Sequence, residues 1–431
     1  MVKKIDVLWL IEHVDRELDV ACIVKAVLEQ TSDIQMEIHN IYSDYERILT
    51  RYYPRVIVHP FFYYVKGSPA QENYVAEWPE VCHFNLAWEQ IHYKAHLQAK
   101  APSDDFSRDK VIHHAWGNFY RDYLVSSGVP EEHIFVNGQP TYQLYLPPYC
   151  SFYPDREQLA EKYNLDPNKT WVFIPENYRW AFATDWRLKF TAEQTENPQE
   201  VYDLRPFSLR SLETLLKWCN QTALDNPDME LIFRPRPANN TRQMVDFFNE
   251  KVGHQAPNLY IKKDETVREW SLASDVIFSS YSTSLIEAAV AGKPVYMVQP
   301  EPIPEMLYCS WYDLVESIRT LEDFESACRS AASRQSVVPP LGDWAHREML
   351  ANGDPILGLV KELTTLVQKR RNANPPQEKS WISILLRSVY KRVGFMLLQR
   401  NRKKNQATHE KDFVDPALIA GRVEAWKSHL F

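Results

Sequence analysis

Ser274–Pro294 reads SDVIFSSYSTSLIEAAVAGKP. An apolar strand pattern over Ser274–Ser279 runs into five Ser or Thr hydroxyls within six residues, then into a helical stretch, Leu285–Ala291. Gly292 closes that helix, and Pro294–Val298 is expected to be the last strand. Strand, polar turn, helix and strand in this order form a βαβ unit, which requires parallel strands. Outward from it the pattern repeats. Trp171–Pro175, Met229–Phe233 and Asn258–Lys262 read as strands, and Pro206–Leu224, Thr241–Val252 and Val267–Ala273 as helices. The first 145 residues show the same alternation. Strands are predicted at Ile5–Glu12, Ile34–His39, Arg55–Pro60, Val81–Leu86, Val111–His114 and His133–Asn137, with helices at Glu17–Gln30 and Asn118–Ser127. The fold class is therefore α/β, with two doubly wound Rossmann-like domains at 1–150 and 165–345 joined through the proline-rich segment around Pro147–Pro154. A helical tail follows over 346–431.

In open parallel sheets, ligands bind beyond the carboxyl ends of the strands. Two strand ends here carry unusual chemistry. After Met229–Phe233 come Arg234, Pro235, Arg236 and Pro237. The prolines hold the chain extended, so side chains two apart share a face and two guanidinium forks lie side by side, a match for a diphosphate. A surface pair bonded to helix carboxylates is the plain alternative. At the second end, Ser279, Ser280, Ser282, Thr283 and Ser284 precede a helix whose free N–H groups favour phosphate. Ser284 and Glu287 also have the spacing of a capping box, which would occupy them structurally, and Glu287 can accept from ribose hydroxyls.

A chain of 431 residues with 45% hydrophobic and 25% charged residues has material for two cores. Six cysteines without a CxxC pair suggest neither a zinc site nor a disulfide framework and fit free thiols in a reducing cytosol. The apolar start breaks at Glu12 with no cleavage signal after it, and no uninterrupted apolar stretch could span a bilayer, so an intracellular protein is expected. Between Lys369 and Lys404 the net charge is +10, which leaves −18 on the rest of a chain whose total is −8. Such an acidic body argues against nucleic acid as a partner.

Taken together, RPRP at 234–237, the short helix at Val267–Ala273, SDVIFSSYSTSLIEAAVAGKPVY and HHAWGNFYRDYLVSSGVPEEHIFVNGQPTY resemble the GT-B glycosyltransferase superfamily. They are most similar to bacterial surface-polysaccharide and capsule biosynthesis proteins and, more distantly, to CDP-glycerol glycerophosphotransferases. The opening EHVDREL resembles the start of surface-carbohydrate biosynthesis proteins. The resemblance covers residues 5 to 300. The glycerophosphotransferases commonly carry His-Pro where this chain has Arg236-Pro237, a departure in the donor site. The resemblance implies a nucleotide-sugar donor in the second domain, a saccharide or lipid-linked acceptor on the first, and reaction in the cleft between them. A sugar-nucleotide epimerase, a glycerophosphate-type transferase and a non-catalytic sugar-nucleotide-binding protein of a polysaccharide assembly are the alternatives.

Glu12, His13 and Arg16 follow the first strand and are predicted at its carboxyl edge, with His13 and Arg16 as acceptor contacts. Three residues are candidate catalytic groups. Glu12 is either a general base or a helix-start carboxylate beside Arg16. Glu89, after another strand end, is either a base or a helix-surface glutamate. Of His113 and His114, adjacent and hence facing opposite ways, the resemblance points to His114, just before Trp116-Gly117. Asp104-Asp105 lies in a polar loop, and metal-independent transfer with no cofactor is expected, the arginines neutralising the leaving nucleotide. Over 369–404 the tail reads as a basic amphipathic helix, with WISILLRSVYKRVGFMLLQ at 381–399. It suits either an anionic membrane, on the inner face of the plasma membrane, or packing against the domains.

Overall fold

The computed structural model describes residues 3–41, 45–93, 100–195, 197–236, 241–333, 340–372, 382, 386, 389 and 415–431. The chain forms two compact units. Unit 1 comprises Met1–Gln90, Ala99–Gln143 and Glu348–Phe431; unit 2 comprises Ile91–Gln98 and Leu144–Arg347.

Unit 1 is built on six strands: β1 (Lys3–Ile11), β2 (Met36–Asn40), β3 (Tyr52–His59), β4 (Cys82–Asn85), β5 (Val111–Ala115) and β6 (Ile134–Val136). All pair in parallel, in the order β2-β1-β3-β4-β5-β6. Parallel strands need crossovers that place helices on the sheet faces, and β1 is accordingly buried from Ile5 to Ile11. One buried position is Asp6, which no apolar run accounts for. Arg371, at the end of helix Pro355–Arg371, reaches both its carboxylate oxygens at 3.1 and 2.7 Å, and Arg55 and the Gln35 N–H complete the set. Burial works to raise the Asp6 pKa, but these hydrogen bonds and charges outweigh it and hold the carboxyl below its usual range.

The C-terminal helices thus belong to unit 1. Helix Pro355–Arg371 packs on β3 and on helix Val14–Thr31, and Gly358 comes so near the first sheet that a Cβ there would sit 1.9 Å from Asn137 Oδ1. Helix Pro416–Leu430 also lies along Val14–Thr31; its Trp426 is fully buried and donates to Asp19 at 3.1 Å. Of the basic amphipathic segment expected over 369–404, residues 373–404 lie outside the described residues, except Ile382, Leu386 and Val389. Among its flanking cations, Arg371 is engaged by Asp6 and Asp33, and Arg370 donates to the Glu80 carbonyl. Those two cations serve packing.

Unit 2 carries β7 (Thr170–Pro175), β8 (Met229–Arg234), β9 (Leu259–Ile261), β10 (Val276–Ser279), β11 (Val295–Val298) and β12 (Ser317–Ile318). These are again all parallel, in the order β12-β11-β10-β7-β8-β9. The two doubly wound sheets predicted from the alternation are both present. Two local expectations differ. The helix expected from Pro206 begins at Pro198 and runs to Asp225, with Pro206 inside it, because Pro198 takes the first helical position, where no N–H is needed. Strand β12 is two residues long, too short for any periodicity.

Candidate functional site

Building of the second sheet starts at β7, proceeds through β8 to β9, then returns beside β7 with β10 and continues to β12. At such a reversal the connections leave on opposite faces and a crevice opens past the carboxyl ends of the two central strands. Past β7 stand Glu176, Asn177, Tyr178 and Arg179; past β10 stand Ser280 to Thr283; past β8, on the other side of β7, stands Arg236.

Hydrogen bonds within unit 2 shape this edge. Glu176, buried, accepts the N–H of Tyr178 with one oxygen and that of Arg236 with the other, at 3.3 Å. Asn177 and the Tyr93 hydroxyl both donate to the Tyr281 carbonyl, at 3.3 and 3.1 Å. These bonds tie the three strand ends together. Arg179 lies over the Trp180 ring, 4.8 Å from its centroid. Burial, and then the neighbouring Arg236 and Arg187, pull its pKa down to about 10, still charged at neutral pH. Among the described residues, neither Arg179 nor Arg236 has a carboxylate bonded to its guanidinium. Past β10, Ser280 is 1% exposed, and its hydroxyl is shut off from solvent without a hydrogen-bond partner. Two adjacent guanidiniums with no carboxylate bonded to them leave positive charge for an anionic ligand.

The predicted donor residues fare differently. Arg234 is buried, and its Nε donates to the Glu265 carbonyl at 3.0 Å, so this arginine has a structural partner that the strand pattern alone did not supply. Ser279 donates to the Pro175 carbonyl and stitches β10 to β7. The capping box expected at Ser284 and Glu287 is replaced. Helix Ser284–Val290 takes Thr283 as its N-cap without a side-chain cap bond, and Glu287 accepts the Tyr145 hydroxyl at 2.5 Å. Ser282 accepts from Ser284 Oγ at 2.9 Å, and Thr283 is exposed. Arg179, Glu176, Asn177 and Tyr93 were not anticipated. Arg179 sits four residues past a predicted strand end, a position where an arginine next to tryptophan would have been a usable signal.

No family model matches the chain, and no curated protein matches it in sequence. Solved structures do match in shape. The UDP-GlcNAc 2-epimerase of Methanocaldococcus jannaschii, in complex with UDP-GlcNAc and UDP, superposes with a TM-score of 0.52 at 13% identity, covering 84% of this chain and 100% of that one. That of Neisseria meningitidis, bound to UDP-GlcNAc, gives 0.50 at 10% identity, with the same coverage. The wall teichoic acid polymerase TagF gives 0.56 at 8% identity, covering 86% of this chain and 91% of that one. This is the GT-B fold. At these identities the likeness is one of fold, which leaves the activity to be argued from the site.

In the first sheet of this GT-B chain the reversal lies between β1 and β3. Glu12, His13 and Arg16 follow β1 there, as the alternation predicted. Arg16 joins three carboxylates: Glu17 at 2.6 Å, Glu89 at 3.4 Å and Glu12 at 3.5 Å. Lys100 also pairs with Glu89, and His13 Nε2 lies 3.9 Å from Glu12. Glu17, fully buried, accepts the N–H groups of Glu12 and His13 and so fixes the turn into helix Val14–Thr31; burial raises its pKa despite Arg16. Glu12 and Glu89, distant in sequence, are thereby brought together. His114 is not with them. It is fully buried, its Nδ1 is bonded to the Leu86 carbonyl at 3.2 Å, and burial lowers its pKa to about 4. His113 is equally buried, between Asn85 and the Ser107 carbonyl. A histidine with no accessible surface touches no acceptor. Among the described residues no three His, Cys, Asp or Glu side chains converge as metal ligands.

Proposed function

We propose that the chain is a glycosyltransferase that holds a sugar nucleotide in unit 2 by its diphosphate and transfers the sugar to a saccharide or lipid-linked acceptor of surface-polysaccharide assembly. The observation that carries this reading is the pair Arg179 and Arg236, adjacent guanidinium groups with no carboxylate bonded to them among the described residues. Two guanidinium forks suit the charge that gathers on a departing diphosphate. Solved GT-B neighbours that bind UDP-GlcNAc and UDP favour a uridine nucleotide as the first ligand to try. The acceptor hydroxyl gives its proton to a carboxylate of unit 1. Glu89, 51% exposed and held by Arg16, is the first choice, Glu12 the second.

The test is release of nucleoside diphosphate from sugar nucleotides with and without saccharide acceptors. Release that rises with acceptor supports transfer. Acceptor-free conversion into an isomeric sugar nucleotide would replace this reading with epimerisation, and binding without either outcome would leave a non-catalytic protein. With arginines supplying the positive charge, turnover is expected to survive EDTA; loss that Mg2+ or Mn2+ restores would place a metal in the reaction.

The site of action proposed is the cytoplasmic face of an anionic membrane. Among the described residues no helix is long and apolar enough to cross a membrane. Ile382, Leu386 and Val389, at 50%, 66% and 50% exposure, follow helical i, i+4, i+7 spacing with cations nearby in sequence. Ile382→Ser, Leu386→Ser and Val389→Ser combined are expected to cut co-sedimentation with phosphatidylserine vesicles about a hundredfold. Unchanged co-sedimentation would leave the segment to another role.

A further inference from the structure

A cavity in unit 2, of about 500 Å³, opens at the carboxyl edge of β11 and β12, on the side of β10 away from Arg236. Its size falls within the roughly 300–1,000 Å³ of small-molecule sites. Pro300, Pro302, Ile303 and the Tyr308 ring give it an apolar wall, and Gln299, Asp313, Ser317 and Arg319 supply polar groups. The Tyr308 hydroxyl donates to Asp313 at 2.8 Å, which fixes both side chains. Arg319 is exposed, and its guanidinium has no partner among the described residues. Gln299 donates its amide N–H to the Met297 sulfur, and its side-chain oxygen is not engaged in that bond.

The chemistry selects a class of ligand. One acidic and one basic side chain line the cavity without pairing to each other, and the Glu305 carboxylate also acts on Tyr308, so the surroundings give an anion no advantage. Tyr308 and Tyr312 stand edge-on, their rings 81° apart at 5.7 Å, and so form no parallel slot for a planar base. A pyranose has what the walls ask for: an apolar C–H face to lie on proline and tyrosine, and a rim of hydroxyls that donate to Asp313 and accept from Arg319. We propose that this cavity holds a neutral saccharide ring, separate from the diphosphate site. The inference needs no phosphate and no transfer, so it stands or falls apart from the proposed function.

The experiment is saturation-transfer NMR and affinity titration on the full chain with methyl glycosides of glucose, galactose, mannose and N-acetylglucosamine, and with methyl glucuronide as the anionic control. At least one neutral glycoside is expected to bind, about tenfold more weakly to Arg319→Ala and to Tyr308→Ala. Its affinity should be unaltered in Arg236→Ala. Both cavity residues are exposed, and unchanged melting temperatures will show that the variants fold. Binding of no glycoside, binding unaffected by both substitutions, or preference for the glucuronide would each overturn the proposal.

Discussion

Arg236→Ala is expected to weaken UDP binding about 10- to 100-fold, and Arg236→Ala with Arg179→Ala about a thousandfold, while uridine, which lacks the phosphates, binds as before. The physical ground is the local field. Burial and two neighbouring arginines already depress the Arg179 pKa, so an anion seated there relieves repulsion as well as forming hydrogen bonds. Titration calorimetry measures both ligands. If the arginines merely brace the strand ends, UDP and uridine will weaken together and the melting temperature will fall. Arg179→Lys separates charge from geometry, since lysine keeps the charge and loses the fork. Arg234→Ala is the contrasting case: its Nε bond to the Glu265 carbonyl predicts a loss of stability.

The second large effect is acid lability of unit 1. His59, His83, His113 and His114 are all fully buried in it, and His59 Nε2 and His83 Nδ1 share a hydrogen bond at 3.0 Å. Burial lowers the pKa of His83, His113 and His114 to about 4, and that of His59 well below its usual value. An unfolded chain takes up protons near pH 6.5 that the folded chain refuses until about pH 4. The stability these groups confer is therefore complete above pH 6.5 and is lost as pH falls toward 4. For His83, His113 and His114 each shift corresponds to about 3 kcal/mol. Asp6, with its lowered pKa, adds a loss at still lower pH, whereas the raised pKa of Glu17 acts in the opposite sense. Denaturant unfolding at pH 7 and pH 5 should show unit 1 opening at much lower denaturant in acid. Proton NMR should show these four rings untitrated in the folded chain above pH 5; a ring titrating near 6.5 would contradict the burial argument.

The parallel sheets could be read from sequence because a strand covered on both faces is a plain apolar run: VIF at 276–278, LIF at 231–233 and VLWLI at 7–11. The alternation placed Arg236 and Ser280 at strand ends, and Glu12 and Arg16 past the first strand. It could not show that Arg234 would turn to a carbonyl 31 residues on, or that Glu287 would meet Tyr145 instead of capping its own helix. Those are tertiary partners, chosen by packing. The return of the last helices to unit 1 had one trace in sequence, a lone Asp6 inside an apolar strand, whose burial called for a cation found 365 residues later. His114 illustrates the converse. Its motif suggested chemistry, and its depth in the core removes it from reach.

The most direct measurement is the structure of the chain with UDP. The diphosphate is expected beyond the ends of β7, β8 and β10, with phosphate oxygens within hydrogen-bond reach of the Arg179 and Arg236 guanidiniums. Phosphates bound elsewhere, with both guanidiniums left as they are, would contradict the assignment of the site.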